Sequence, residues 1–308
     1  METQASVRER NQRILSYLDT PGLEKKAADS VNAFTRTKMR EDSFSRKIME
    51  PVEITNDELD RAIETDLPMK IIDKEPDSPP AISLPFGNLP VNIYIKAPRY
   101  RVLFDRIVTP RFTKDVEELR TYDMDVRQVL SDNAIKDMLA EEDGKFLTAV
   151  NTALGTKNVT QPLCGVPIYR GLSGGMDRNN VVESLKIMNR TDFRLESHTA
   201  LTNFVTIKEF MKWGRDEMGG DFSQEVIKNG WSEANFLGQR WIVTIKRDLV
   251  PDDTVYYFAD PKFIGKNFIL ENATMFLKRE AFMIEWFCYC TLGGAIGHVG
   301  GIARVDFE

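Results

Sequence analysis

The sequence predicts an α+β fold, with helices and strands mixed but without the regular strand–helix alternation of a doubly wound sheet. Two observations carry the prediction. No proline interrupts Asp123 to Leu154, and the apolar residues there (Val126, Val129, Leu130, Ile135, Met138, Leu139, Phe146, Leu147, Val150) keep helical spacing. Further on, Trp241 to Lys246, Val255 to Phe258 and Ala273 to Lys278 are rich in β-branched and aromatic residues and read as strands.

The composition suits a folded, globular chain. Of 308 residues, 42% are hydrophobic and 29% charged, which argues against disorder and against a multi-span membrane protein. The formal net charge of -6 gives no general electrostatic reason to grip nucleic acid. Three cysteines are too few for a secreted disulfide framework, and METQASVRERNQRILSYL has no apolar core of signal-peptide length.

Residues 1–60 are polar, with sparse apolar positions such as Ile14, Leu15, Leu18, Val31 and Phe34. Such a segment forms short helices but buries little on itself, so it reads as an arm that needs a surface. Pro51 followed by Thr55-Asn56-Asp57-Glu58-Leu59 predicts a second short helix with an acidic first turn. From Glu53 to Asp77 nine acidic residues face three basic ones; from Lys96 to Lys114 six basic residues face the single acid Asp105. Between these blocks Pro76, Pro79, Pro80, Pro85 and Pro90 exclude a helix, and Val91, Ile93 and Ile95 alternate like a strand. Residues 66–112 are therefore expected to form a long extended excursion that reaches a neighbouring subunit or lies as a solvated flap.

The long helix follows, with Gly155 suited to its C-terminal stop. Asn180-Val-Val-Glu183 and Thr206-Ile-Lys-Glu209 each have a helix-start pattern, with Val181, Val182, Leu185 and Met188, and Ile207, Phe210 and Met211, as buried faces.

Chemical motifs are sparse. GLSGGMDRNN (171–180) lacks the Lys-Ser/Thr of a phosphate loop and reads as a flexible turn. His198 and His298 sit in no metal-ligand spacing, and Cys288 and Cys290, two apart on a strand, share one face, which suits packing. Acidic pairs in helical segments read as solvated faces. No catalytic residue, cofactor or metal is expected.

Trp286 to Ala303 carries no formal charge, yet Gly293, Gly294, Gly297, Gly300 and Gly301 each lower helix propensity by about 1 kcal/mol relative to alanine. Ile284, Trp286, Cys288 and Cys290 share one strand face, and Arg304 and Asp306 alternate with Ala303, Val305 and Phe307. Two strands joined by a glycine-dense bend fit better than a membrane helix, and at least one glycine should have a positive φ or unusually close packing.

The order of parts, together with FDRIVTPRFTKDVEELRTYDMDVRQVLSDNAIKDMLAEED (104–143), IVTIKRDLVPDDTVYYFADPKFIGKNFILENATMFLKRE (242–280) and IEWFCYCTLGGAIGHVGGIARVDF near the end, resembles the major capsid proteins of tailed bacteriophages with the Hong Kong 97-type fold. The resemblance covers roughly residues 45–308 and implies an N-terminal arm (1–60), an extended loop region (61–112), a peripheral domain with the spine helix (113–155 and 266–290) and an axial domain (156–265 and 291–308). It further implies a non-enzymatic shell protein that self-assembles into hexamers and pentamers around double-stranded DNA, located in the virion and assembled in the bacterial cytoplasm. Its partners would be itself, a portal and scaffold or decoration proteins, with no membrane. On this reading the acidic and basic blocks pair between subunits, through Asp73, Glu75, Lys96, Arg99, Arg101 and Arg106. The Lys-Asn cross-link of some members has no residue set that can be matched here. The alternatives are an encapsulin-like compartment and, more distantly, an unrelated α+β enzyme.

Overall fold

The computed structural model describes residues 4–19, 43–62, 64–73, 83–90, 98–120, 126–213, 233–236 and 238–308, with single or paired residues (23, 25, 26, 28, 29, 31, 32, 35, 81, 92 and 94) between them. The chain begins with helices α1 (Gln4–Asp19) and α2 (Phe44–Ile48), the latter capped by the Ser43 hydroxyl, which accepts from the Arg46 amide. Short strands β1 (Val52–Glu53) and β2 (Asp60–Arg61) flank a 3-10 turn at Asn56–Glu58, where the acidic short helix is expected. Then come β3 (Pro68–Asp73), β4 (Arg99–Leu103), β5 (Asp105–Val108), β6 (Phe112–Asp115) and α3 (Val116–Arg120). β3 and β4 pair antiparallel from Met69↔Leu103 to Asp73↔Arg99, so the excursion leaves and returns as a two-stranded stem. The alternation expected at Val91, Ile93 and Ile95 lies outside the described residues.

Helix α4 (Val126–Leu154) is the predicted long helix; its 29 residues span about 43 Å. It stops at Gly155, whose φ of +77° is the left-handed conformation that glycine takes freely. After it come β7 (Tyr169–Leu172), α5 (Arg178–Asn189), β8 (Thr199–Asn203), a 3-10 segment (Thr206–Lys212), β9 (Glu233–Phe236), β10 (Gln239–Thr244), β11 (Thr254–Phe258) and α6 (Pro261–Ile264). The long strands β12 (Gly265–Glu280) and β13 (Met283–Ile296), a 3-10 turn (Val299–Gly301) and β14 (Ile302–Phe307) complete it.

Two lobes result. One is a six-stranded sheet in the order β7-β14-β11-β8-β10-β9, whose mixed directions confirm α+β rather than a doubly wound design. The other is built on the β12–β13 hairpin, with β1 beside β12 and both β5 and β6 on β13. Each lobe has its own core, and α4 serves both. Ala134, Ile135, Met138 and Leu139 pack with Met275, Ile284, Trp286, Cys288 and Cys290 of the hairpin, whereas Phe146, Leu147, Val150 and Leu154 pack under the six-stranded sheet with Tyr256, Phe258 and Ile302. Each such fully buried aliphatic or aromatic side chain contributes about 1.5–3 kcal/mol of apolar transfer energy. Part of the surface the N-terminal segment needs is supplied by its own chain: Ile14, Ala28 and Val31 join the hairpin core, and Phe44, Ile48 and Met49 join the sheet core.

The structure corrects several local readings. α5 begins at Arg178, because the Asp177 carboxylate caps it by accepting from the Asn180 amide (2.7 Å); Asn180 itself lies inside the helix. Its buried positions are Val181, Ser184, Ile187 and Met188, while Val182 is exposed. The segment at Thr206 is 3-10 and Thr206 does not cap it: its hydroxyl accepts from the Asp253 amide, and the Val205 and Thr206 amides donate to Asn203 Oδ1 instead (3.0 and 2.7 Å). Ile207 and Phe210 are buried as expected, and the Met211 side chain lies outside the described residues. β13 runs through Gly293 and Gly294 to Ile296, so the bend is confined to Gly297–Gly301. None of those five glycines has a positive φ; the expectation is met by close packing, at Gly293 against the Leu103 main-chain oxygen and at Gly301 against that of Phe263. Finally, the acid pair Glu142–Asp143 on α4 is buried, not solvated.

Candidate assembly surfaces

Among the described residues no group of three or more histidine, cysteine, aspartate or glutamate side chains is placed to hold a metal ion, and no helix is long and apolar enough to cross a membrane. Cys288 and Cys290 are buried on the α4 side of β13, and burial pushes both thiols up to about 12, which keeps them protonated and inert. The His298 ring accepts from the Gly300 amide (3.1 Å) and sits edge-on to Phe193 at 4.2 Å, a packing and capping role. In the glycine-rich turn, the amides of Gly174 and Gly175 both donate to the main-chain oxygen of Glu308 (2.6 and 3.0 Å), so these donors serve to tie β14 to the start of α5.

What stands out is apolar surface without cover. The stretch from Ala81 to Ile95 contains no charged residue. At its centre Pro85–Asn88 forms a turn closed by the Asn88 amide on the Pro85 oxygen (3.2 Å), with Gly87 at φ +92° in the position a type II turn reserves for glycine. This geometry turns Phe86 outward, where it is fully exposed; Leu89 and Tyr94 are exposed by 90% and 87%. Scattered apolar surface is ordinary, but three large exposed side chains within one charge-free stretch make it a candidate interaction surface.

A second bare surface is the face of the β12–β13 hairpin turned away from α4. Period-2 alternation puts Cys288 and Cys290 inward and Phe287 and Tyr289 outward. Phe276 stacks on Phe287 (ring centroids 5.1 Å), Phe287 neighbours Tyr289 (6.2 Å), and the Arg106 guanidinium lies 5.7 Å from the Tyr289 ring. The hairpin tip adds exposed Phe282 and Met283. A third element is a groove of about 560 Å3 between α4 and the end of β13, lined among others by Phe146, Ala149, Thr152, Leu292 and Gly293. In the sheet lobe, Phe204, Val205 and Ile245 lie together at one end of β8 and β10, where the Phe204 amide donates to the Thr244 oxygen (2.9 Å).

Among the described residues, the predicted contact residues are not gathered into one site. Asp73 and Arg99 face each other across the excursion stem, with Arg99 Nε donating to Asp73 Oδ1 at 2.7 Å, both side chains exposed. Arg101 stands opposite Ile71 on the same stem, and Arg106 lies on β5 in the hairpin lobe. Glu75 and Lys96 lie outside the described residues. The aromatic stripe escaped the sequence reading, although the alternation that assigned Trp286, Cys288 and Cys290 inward also assigns Phe287 and Tyr289 outward.

No protein-family model matches the sequence, and no curated protein is similar to it in sequence. Solved structures match along most of the chain. A virus-like particle from Pyrococcus furiosus superimposes with a TM-score of 0.52 at 11% identity, covering 90% of this chain and 98% of that one. A chain from Microbacterium phage Oxtober96 gives 0.58 at 11% identity, covering 87% and 91%. The capsid of cyanophage P-SCSP1u gives 0.56 at 11% identity, covering 84% and 87%. At such identities the likeness is one of fold, and the fold is the Hong Kong 97-type fold of tailed-phage capsid proteins, as the order of elements implied.

Proposed function

We propose that this chain is the subunit of a closed icosahedral shell, the major capsid protein of a tailed phage, assembling into hexamers and pentamers around double-stranded DNA. The observation that carries the reading is the likeness, along most of both chains, to chains of a virus-like particle and of a phage capsid. The uncovered apolar surfaces support it, because obligate interfaces bury thousands of Å2 of such surface. On this reading residues 156–265 and 291–308 form the axial domain and residues 113–155 and 266–290 the peripheral domain. Residues 61–112 carry the loop that lies over a neighbour, and residues 1–60 the arm. The role is structural, not enzymatic, and the place of action is the virion, after assembly in the bacterial cytoplasm with a portal and scaffold or decoration proteins.

Charge pairing between the acidic and basic blocks of adjacent subunits would set register and speed encounter more than add affinity. A net-negative chain suits a container, which gains little from holding its DNA tightly. The likeness to the virus-like particle favours a second reading, a compartment whose cargo is protein. The two separate on the contents of purified particles: nuclease-protected double-stranded DNA supports the capsid, and a co-purifying enzyme without nucleic acid supports the compartment.

A further inference from the structure

Where α4 passes from one core to the other, two consecutive buried carboxylates are both held by one short segment near the N-terminus, and the second also by the sheet lobe. Glu142 receives a two-pronged bond from Arg46, Nε to Oε1 at 2.8 Å and Nη2 to Oε2 at 2.9 Å, with side-chain exposures of only 3% and 5%. Asp143 accepts from the Ser43 hydroxyl (2.9 Å) and the Ser45 amide (3.0 Å) on one oxygen, and from Lys246 Nζ (2.6 Å) on the other. Lys246 lies beyond β10 in the sheet lobe and also donates to the Leu139 carbonyl (3.3 Å), on the hairpin-core side of the helix. One short segment, Ser43–Met49, thus grips the helix at the seam between the lobes.

Stability alone is a poor account of this cluster. A buried ion pair is often no more stabilising than well-packed apolar groups of the same size, and its best-attested use is to fix one arrangement among several. The next residue is Gly144, which lowers local helix propensity by about 1 kcal/mol relative to alanine. No steric need explains it: a Cβ there would meet only Leu249 Cδ2, at an ordinary 3.5 Å. The helix is therefore softest next to the point where it is most firmly held.

We propose that Ser43–Met49 is a latch that holds the two lobes at one angle across a soft point in α4, and that shells built from this chain take their uniform curvature from that angle. The second half rests on the shell reading; the first does not. Spin labels at Lys186→Cys in the sheet lobe and Lys278→Cys in the hairpin lobe, both exposed while the native thiols are buried, report the angle in the unassembled chain. The parent should give one narrow distance distribution. Arg46→Met with Glu142→Met should keep the fold but add a second population of about a tenth of the chains, and amides 44–48 should exchange about tenfold faster. Arg46→Lys, which keeps charge but loses the fork, should do the same to a smaller extent and decides the matter if the double variant does not fold. Adding Gly144→Ala should shrink the second population. A distribution unchanged in these latch variants overturns the latch. Electron micrographs of the latch variants should show shells of mixed diameter; uniform shells beside a broadened distribution overturn the curvature half. Absence of shells from the parent chain overturns the shell reading and with it the curvature half, and leaves the distances to decide the latch.

Discussion

The backbone of Gly293 on β13 lies so close to Leu103 of the excursion stem that a Cβ at this position would stand 2.6 Å from the Leu103 main-chain oxygen. Neither backbone can yield cheaply, since one belongs to the long hairpin and the other to the β3–β4 pair. Gly293→Val should destabilise the chain by about 2–4 kcal/mol. Gly294→Ala should be mild, because its Cβ would meet only the Asn267 side chain at 3.4 Å. Denaturant midpoints of the two variants check the contrast.

Arg46→Ala leaves the Glu142 carboxylate buried without its partner and should cost about 3–5 kcal/mol. Replacing both by methionine removes charge and countercharge together and should restore most of that loss. A double-mutant cycle in urea reads both numbers; equal losses in the single and double variants would contradict the pairing.

Asp306 on β14 gives the fold an acid-sensitive contribution. Burial alone would raise its pKa, but the Tyr169 hydroxyl (2.8 Å), the Arg304 guanidinium (3.0 Å) and the Thr254 hydroxyl (3.1 Å) all favour the anion and hold it below the usual aspartate value. With the folded-state pKa depressed, the stabilisation is fully present above the unfolded-state value and is lost as pH falls through the folded one. Unfolding midpoints from pH 7 down to 2 should show the parent losing stability at the acid end, and Asp306→Asn should be weaker at pH 7 with a shallower acid limb. Glu183 is also held low, but by the exposed Lys186 and Arg190, whose charges solvent screens, and its replacement should change little.

Phe86 is fully exposed in the free chain, so Phe86→Glu should leave its unfolding free energy within about 0.5 kcal/mol of the parent. Shell formation should nevertheless fail, as seen by sedimentation. Arg99→Glu with Arg101→Glu should impair assembly in a salt-dependent way. Its effect on the free chain should stay below about 1 kcal/mol, since the Asp73–Arg99 pair is exposed. Normal assembly at low salt would sink the charge-pairing account.

The parts legible in the sequence were those governed by local periodicity. A proline-free run with helical spacing fixed α4, and alternation around Cys288 and Val305 placed β13 and β14 in their correct faces. Cap positions were less legible, because Asp177 and Asn180 are both good capping residues and only the path of the chain decides between them. Gly293 illustrates a different limit: its need for space comes from Leu103, far away in sequence, while its own strand simply continues. The cluster at Glu142–Asp143 was invisible for the same reason. Ser43 and Asp143 are a hundred positions apart, and two acids on a mixed-charge helix read as a wet face until a partner segment is known to cover them.

The most direct test of the central claim is electron microscopy of the chain expressed alone and purified. The account predicts closed, icosahedral shells in which hexamers and pentamers can be distinguished, with the charge-free loop of each subunit lying on its neighbour. Small discrete oligomers that never close, at concentrations where the chain is folded, would contradict it.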